Sequence, residues 1–359
     1  MIVFYPTYAR RLPGEKRWRA TVAGMISRPL PPKSHRRTLA IGVIKRLLDL
    51  DETQLQSEVF LRRADAFLFQ RVAGERVNIT LGGRRIDAGQ SDRVGHFQHV
   101  IDLDEADVDA LAEASGSAMK GGCRWLSYAA AVAVDDDRVD GLAASAAPAA
   151  GRIQLIDDDG LSVISDIDDT VKVTNVANRR ELLTNTLLRE FSAVPGMAEV
   201  YRHWQSTGTA FHYVSASPWQ LASCLGGFLR DAGLPSGSMH LKLFRLKDST
   251  PLGRLPSRKR SKRRIIEHIV EDFPQRKFLL VGDSGERDPE VYAEVARRHP
   301  DRVLGIAIRH VEGKLSRDKM QSRLDRLARR VPSGRWHVFT DPAELAALVP
   351  GGLQQDLGR

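Results

Sequence analysis

The sequence predicts an α/β protein in which a β-rich domain precedes a domain built on a parallel sheet. From about residue 155 onward, apolar segments of strand length alternate with helical stretches, as in parallel α/β sheets. In the first 150 residues, short segments alternate apolar and polar positions, a pattern typical of half-buried strands. An alanine-rich stretch at 141–151 and a turn at 157–160 separate the two patterns. We therefore expect domains at 1–154 and 155–345, and a tail at 346–359.

The first domain is expected to resemble a β-sandwich with an inserted helical segment. Alternation predicts strands around 18–26, 77–81 and 97–103. Between the first two strands, apolar residues recur at helical spacing from Ile44 to Val59, which predicts one or two helices. Glycine-containing turns at 82–83 and 92–95 connect the later strands.

The second domain is expected to contain five parallel strands and four helices. The strands are predicted at 161–165, 210–216, 239–244, 277–283 and 302–309. The helices are predicted at 195–206, 218–231, 260–271 and 288–299. A proline near the first turn of three of these helices fits this assignment.

Composition narrows the class of protein. The 359 residues suffice for two domains that fold without a disulfide or metal staple. Cys123 and Cys224 lack ligand spacing, which favours a reducing cytoplasm over a disulfide framework or a zinc site. Because a proline and two arginines lie within the first eleven residues, we expect no signal-peptide core, and the apolar stretch at 125–134 is too short to span a bilayer. The net charge of +9 suits an anionic partner such as phosphates, nucleic acid or an acidic membrane.

Three carboxylates, those of Asp166, Asp168 and Asp169, occupy four positions directly after the strand at 161–165. Like charges this close repel unless a cation or hydrogen-bond donors compensate them. Alone, such a cluster is typical of a solvated turn or a helix N-cap. We expect Asp169 to have such a turn or capping role and no chemical one. The cluster as a whole indicates a bound cation.

Further chemical groups follow other predicted strands. Ser215 ends one strand, Asp283 ends another with Asp288 five residues on, and the helix at 260–271 opens with Lys262. Because ligands of open α/β sheets collect beyond the carboxyl ends of the strands, we expect one shared site. In isolation the loop after Asp283 would be a glycine turn, and Lys262 would belong to a basic surface run at 254–264.

These residue types suit phosphoryl transfer, in which positioning and charge stabilisation dominate catalysis. Asp166 would attack phosphorus and form an aspartyl-phosphate, while Asp168 protonates the leaving oxygen and later deprotonates water. Ser215 and Lys262 would hold the non-bridging phosphate oxygens. Thr170 is placed beside the substrate, where it mainly shapes the loop.

A Mg²⁺ ion would offset the repulsion between the nucleophile and the phosphate. Mg²⁺ prefers octahedral oxygen coordination and takes one or two carboxylates with waters and phosphate oxygens. We expect direct ligation by the carboxylates of Asp166 and Asp283, a third oxygen from the main-chain carbonyl of Asp168, and a water-mediated contact to Asp288.

The ordered series Asp166-x-Asp168-x-Thr170, Ser215, Lys262 and Gly282-Asp283 with Asp288 resembles the motifs of the haloacid dehalogenase superfamily of phosphatases. The segments ISDIDDTVKVTNV, FHYVSASPWQL and KFLLVGDSGERDPEVY are similar to the catalytic domain of the fungal actin-patch phosphatidate phosphatases and their bacterial homologues, over roughly 155–310. The resemblance implies a Rossmann-like parallel sheet of the haloacid dehalogenase type. About 25 residues between Thr170 and Pro195 leave no room for a large cap. One departure is that Ser261 precedes Lys262 where the family often has an aromatic residue or histidine, and Lys259 is a rival.

The resemblance implies Mg²⁺-dependent hydrolysis of phosphatidate to diacylglycerol and phosphate. One alternative keeps the chemistry on a soluble phosphomonoester or a nucleic-acid phosphate end. Another makes the chain a membrane- or partner-binding module in which the phosphatase domain is incidental. The basic run at 254–264 suits peripheral contact with an anionic membrane from the cytoplasm, and a phosphorylated protein or nucleic acid remains an alternative partner.

Overall fold

The computed structural model describes residues 1–31, 33–114, 124–133, 149–176, 178–242, 258–312 and 315–348. The described residues form a mixed α/β protein that divides into two compact units. Those up to Ile156, together with Trp219–Leu225, make up the first unit, and the others make up the second. The predicted boundary near 155 lies at the end of a strand, β9 (Ala149–Ile156).

The first unit contains nine described strands and four described helices. The strands are β1 Ile2–Phe4, β2 Thr7–Arg11, β3 Arg17–Pro29, β4 Phe69–Arg71, β5 Arg76–Leu81, β6 Arg84–Gln90, β7 His96–Asp104, β8 Arg124–Val132 and β9 Ala149–Ile156. The helices are α1 His35–Leu48, α2 Glu52–Leu55, α3 Glu58–Asp65 and α4 Glu105–Ala114.

These nine strands are hydrogen-bonded into one sheet, with a main path β1-β3-β2-β9-β8-β5-β6. The 13-residue strand β3 also pairs with β4 and β7, so a single long strand joins several partners. The alternating segments are found in β3, β5 and β7, and the helical insertion is α1 to α3, as predicted. The expected β-sandwich is not confirmed. The fully buried side chains of Trp18, Ile79, Leu126 and Ile153 lie in the core of this unit.

The second unit contains eight described strands and six described helices. The strands are β10 Leu161–Ser165, β11 Lys172–Val173, β12 Ser192–Ala193, β13 Ala210–Pro218, β14 Ser238–Lys242, β15 Lys277–Asp283, β16 Val303–Arg309 and β17 Trp336–Phe339. The helices are α5 Arg179–Leu187, α6 Met197–Ser206, α7 Ala222–Asp231, α8 Arg258–Asp272, α9 Asp288–Arg298 and α10 Arg317–Ala328. Short 3₁₀ helices cover Pro342–Leu348 in this unit and Trp219–Leu221, which belongs to the first unit together with the start of α7 up to Leu225.

Six strands of this unit form a parallel sheet in the order β14-β13-β10-β15-β16-β17. Counted along the chain this order is 3-2-1-4-5-6, so the direction of winding reverses beside β10, at its neighbour β15. Both β10 and β15 have the predicted bounds. The strand expected at 239–244 is β14, and residues 243–244 lie outside the described part of the chain.

Two predicted segments extend beyond the described residues. Of the basic run at 254–264, only the part from 258 onward is described, and of the tail at 346–359 only the part up to 348. No described helix combines the length and the apolar character needed to cross a bilayer.

Candidate active site

The carboxyl ends of β10, β13 and β15 meet at one edge of the parallel sheet. Asp166 directly follows β10, and its N–H donates to the carbonyl of Val281 on β15 at 2.9 Å. Ser215 lies near the end of β13, and Asp283 is the last residue of β15. The reversal of winding beside β10 is where open α/β sheets bind ligands.

Three carboxylates converge at this edge. Oxygens of Asp166, Asp283 and Asp288 all lie within 4.8 Å of one another, and all three residues are buried. The ammonium Nζ of Lys262 lies 2.6 Å from Oδ1 of Asp166 and 2.6 Å from Oδ1 of Asp288. The Lys262 side chain is 9 % exposed, so it points into this acidic triad and is not part of a solvated basic face.

Burial and crowding make the triad electrostatically strained. Burial raises the pKa of Asp166 well above its usual value; Lys262 opposes the shift, and Asp288 and Asp283 increase it. Burial and Asp288 likewise raise the pKa of Asp283. Burial alone would lower the pKa of Lys262, but Asp166 and Asp288 raise it well above its usual value. One ammonium therefore faces three carboxylates, and negative charge is in excess.

Two oxygens of the triad fit a divalent cation. Oδ2 of Asp166 and Oδ2 of Asp283 are buried and have no hydrogen-bond partner among the described residues. The other oxygen of Asp283, Oδ1, accepts the N–H groups of Gly285 at 2.7 Å and Glu286 at 3.0 Å, which fixes the carboxylate. Buried carboxylate oxygens without a donor are unfavourable, and hard cations such as Mg²⁺ take such ligands. The residues present therefore fit a metal site.

The carboxylate of Asp168 lies outside the triad and is held by four groups. Its Oδ1 is 2.7 Å from Nζ of Lys172 and accepts the hydroxyl of Thr174 at 2.8 Å. Its Oδ2 accepts the hydroxyls of Ser217 at 2.6 Å and Ser215 at 3.0 Å. Burial alone would raise the pKa of Asp168, but Lys172 and the hydroxyls of Ser217 and Thr174 hold it below its usual value. The metal contact expected from its main-chain carbonyl stays a prediction.

Asp169 shapes the loop. Its backbone is in the left-handed region, with φ +56°. Its carboxylate accepts three backbone N–H groups at 2.7–2.8 Å, those of Thr174, Asn175 and Val176. Its carbonyl accepts Nη1 of Arg309 at 2.8 Å. This residue is turn material, as expected. Thr170 is buried beside it, and its hydroxyl has no hydrogen-bond partner among the described residues.

Lys172 is a residue of the site that sequence reasoning missed. It is 1 % exposed, its ammonium contacts Asp168, and it lies 4.4 Å from the centroid of the Phe191 ring. Thr174 and Ser217 were missed as well. The available signal was their proximity to Asp168 and Ser215 in the sequence, but their side-chain directions depend on the path of the loop.

Arg323 on α10, which sequence reasoning also missed, positions the loop that follows β15. Its guanidinium donates to the carbonyls of Ser284 at 2.8 Å and Glu286 at 2.7 Å. It also pairs with the carboxylate of Glu290 at 2.6 Å, close to the start of α9. The loop that carries Asp283 and leads to Asp288 is thereby tied to α10.

Part of the chain, including the residues of this site, matches a known protein family. Residues 161–310 match the family model described as "Phosphatidate phosphatase APP1, catalytic domain". The match contains every residue of the acidic triad and of the Asp168 network, together with Lys262. It supports a phosphatase, a hydrolase of phosphoric monoesters, and is consistent with a divalent metal at the triad.

Two curated fungal proteins are similar to part of the chain. An uncharacterized protein of Schizosaccharomyces pombe is 36% identical over 164 residues, which cover 45% of this chain and 27% of that protein. The phosphatidate phosphatase APP1 of Saccharomyces cerevisiae is 34% identical over 161 residues, which cover 44% of this chain and 27% of that protein. The similar part thus spans about a quarter of the length of these relatives.

Proposed function

We propose that this chain hydrolyses phosphatidate to diacylglycerol and phosphate in a Mg²⁺-dependent reaction that passes through an aspartyl-phosphate. The observation that carries the proposal is the buried triad of Asp166, Asp283 and Asp288 with Lys262 at 2.6 Å from two of its members. The proposed substrate is the one named for the yeast relative and for the matching family. The strand order and the placement of the motifs support a haloacid dehalogenase type of catalytic domain.

In the first step, a carboxylate oxygen of Asp166 bonds to phosphorus and the bond from phosphorus to the glycerol oxygen breaks. The buried ammonium of Lys262 keeps the Asp166 carboxylate oriented and adds positive charge beside the phosphate oxygens. Mg²⁺, when bound by the triad, supplies the further positive charge that lets an anionic nucleophile approach an anionic phosphate.

Proton transfer falls to Asp168. A phosphate group beside Asp168 places negative charge near it, which raises its pKa and favours the protonated form that the leaving oxygen requires. In the second step, the carboxylate takes a proton from the water that attacks the aspartyl-phosphate, and Asp166 is regenerated. The low pKa of Asp168 in the free protein suits this second role.

The test measures phosphate release by the purified full-length chain from vesicles that contain phosphatidate. Release should require Mg²⁺, and Asp166→Asn should reduce it by roughly a thousandfold or more, because an amide does not replace the nucleophile. The matched control is Asp231→Asn, which changes an exposed aspartate on α7 and should leave the rate unchanged. Full turnover by Asp166→Asn would exclude the mechanism.

The substrate is tested in the same assay with a soluble phosphomonoester and a phosphorylated oligonucleotide end beside the vesicles. Preference for phosphatidate supports the proposal. Metal-dependent hydrolysis of the soluble compounds with no activity on vesicles would keep the chemistry and overturn the substrate.

A further inference from the structure

Helix α1 in the first unit turns an apolar ridge toward solvent. Leu39 is 72 % exposed and Val43, one turn further along, is 60 % exposed. Arg36 and Arg46 are also exposed. At 100° per residue, these four positions fall within an arc of about 80° on the helix. Of the helix residues whose side chains are described, only Leu48 is buried.

The ridge lies in a segment that is entirely basic in charge. Between Lys33 and Leu48 the sequence contains five lysine and arginine residues and no aspartate or glutamate, namely Lys33, Arg36, Arg37, Lys45 and Arg46. Arg37 pairs with Asp65 at 2.6 Å, and Lys45 pairs with Glu52. Lys33, Arg36 and Arg46 are exposed around Leu39 and Val43.

The helix is anchored at both ends. The Ser34 side chain accepts the N–H of Arg37 at 3.2 Å as an N-cap, and Asp49 ends the helix with φ +56°. The ion pairs of Arg37 and Lys45 fasten its less exposed side to α3 and α2. The apolar ridge is thus displayed by a positioned helix.

An anionic lipid bilayer matches this combination of groups. Large apolar side chains gain free energy at the boundary between headgroups and acyl chains, and basic residues at the same level attract anionic headgroups. A second copy of the chain meeting the same face would set cations against cations, in a protein of net charge +9. A nucleic-acid backbone offers no apolar surface to Leu39 and Val43.

We propose that α1 lies on the surface of an anionic bilayer, with Leu39 and Val43 entering the headgroup boundary and Lys33, Arg36 and Arg46 contacting anionic headgroups. None of these residues belongs to the basic run at 254–264. The inference rests on the proposed function for its lipid setting, but the binding it describes does not require turnover.

The test is flotation of the full-length chain with phosphatidylcholine vesicles, with and without phosphatidylserine and lacking phosphatidate. The native chain should bind only the anionic vesicles. Leu39→Gln/Val43→Gln should lower the partition coefficient roughly tenfold or more, because two apolar side chains no longer enter the bilayer. Arg36→Gln/Arg46→Gln should lower it by a similar factor and weaken its dependence on salt.

Matched controls change the same residue types at other exposed positions. Leu315→Gln/Val100→Gln and Arg85→Gln/Arg93→Gln should bind as the native chain does. The thermal unfolding of each variant is followed by circular dichroism. If the double variant unfolds at a clearly lower temperature than the native chain, the single variant Leu39→Gln replaces it.

The proposal would be overturned if the Leu39/Val43 variant bound anionic vesicles as strongly as the native chain does. It would also be overturned if the native chain bound neutral and anionic vesicles equally. It would also be overturned if that variant dissociated an oligomer of the native chain, since α1 would then bind a second copy. A chain that binds vesicles through α1 but releases no phosphate would contradict the proposed function alone.

Discussion

Two aspartates two positions apart, Asp166 and Asp168, lie in opposite electrostatic surroundings. Burial among other carboxylates raises the pKa of Asp166, whereas Lys172 and the hydroxyls of Ser217 and Thr174 hold that of Asp168 low. Because the residue type is the same, the difference comes entirely from the partners. The loop therefore gives the proposed nucleophile and the proposed general acid and base different neighbours, and hence different pKa values.

The ion pair between Lys172 and Asp168 is predicted to stabilise the fold. Lys172→Met leaves the Asp168 carboxylate buried without its cation, so the free energy of unfolding should fall by about 3–5 kcal/mol. Urea denaturation measures this loss. Adding Asp168→Asn to Lys172→Met removes the buried charge and should restore part of the stability.

The control for this pair is Lys45→Met, which removes a half-exposed lysine that pairs with Glu52 at the surface. This substitution should change the free energy of unfolding by no more than about 1 kcal/mol, as for other surface ion pairs. If the double variant is no more stable than Lys172→Met alone, the carboxylate is not the group that Lys172 compensates.

Sequence reasoning identified Lys262 and missed Lys172 for one physical reason. Lys262 lies near the start of α8, a helix with a clear apolar pattern, and belongs to an ordered series of motifs. Lys172 lies in VKV, where alternation predicts a solvent-facing side chain. Only the turn at Asp169, which brings the loop back on itself, directs its ammonium to Asp168.

At the scale of elements, the junction of β15 and α9 is built around Gly282. A Cβ atom at this position would lie 2.4 Å from Oδ2 of Asp288 and 2.7 Å from Cε2 of Tyr292. Asp288 is the first residue of α9, and its Oδ1 contacts Lys262. The absence of a side chain at Gly282 therefore lets the start of the helix approach the end of the strand.

Gly282→Ala is predicted to push Asp288 away from Lys262. Overpacking should cost about 1–3 kcal/mol of stability, measured by urea denaturation. Phosphate release should fall by a larger factor than this loss of folded protein explains, because the triad is opened.

Gly226→Ala is the matched control, because a Cβ atom there meets no neighbouring atom within 4 Å in the middle of α7. It should be neutral or stabilising by up to about 1 kcal/mol. Unchanged activity in Gly282→Ala would show that the close approach is not required.

The helices and strands with strong local patterns could be predicted from the sequence. The pairing of the strands in the sheets could not. The buried strands β10 and β15 have the expected bounds, since apolar runs between turns leave little freedom. The short edge strand β17 has only one buried side chain, that of Phe339, and was missed. Helix α10 was also missed, although Met320, Leu324 and Leu327 show helical spacing. Alternation cannot tell which strands pair, so the nine-stranded hydrogen-bonded network was not predictable, and the expected sandwich stays a prediction.

For the whole molecule, stability at low pH depends on a histidine pair on β13 and β14, in which His212 is buried and His240 is half-buried. Nδ1 of His212 is 2.7 Å from Oγ of Ser238, which is 3.0 Å from Nε2 of His240. Burial, with a smaller effect from His240 and Arg276, holds the pKa of His212 well below its usual value. Burial and His268 lower the pKa of His240 to about 4.

Acid should therefore destabilise the protein through these histidines. Both folded pKa values lie below the ordinary value of 6.5, so the unfolded chain binds the protons first. The stabilisation is complete above pH 6.5 and is lost as the pH falls toward about 4. The slope of unfolding free energy against pH in this window, measured with urea, should become smaller in His240→Asn.

The control is His203→Asn, which removes an exposed histidine on α6 and should leave the slope as it is. An identical slope in the native chain and His240→Asn would contradict this account.

Arg309 and its carbonyl join the two acidic loops through β16. The guanidinium donates to the carbonyl of Asp169, and the Arg309 carbonyl accepts the N–H of Ser284 at 2.9 Å. The loop after β10 and the loop after β15 are therefore each completed by a strand synthesised after both. During refolding or synthesis, the chain would consequently become active only after β16 has joined the sheet. The appearance of turnover would then mark the assembled sheet, and a chain that is merely collapsed would be inactive.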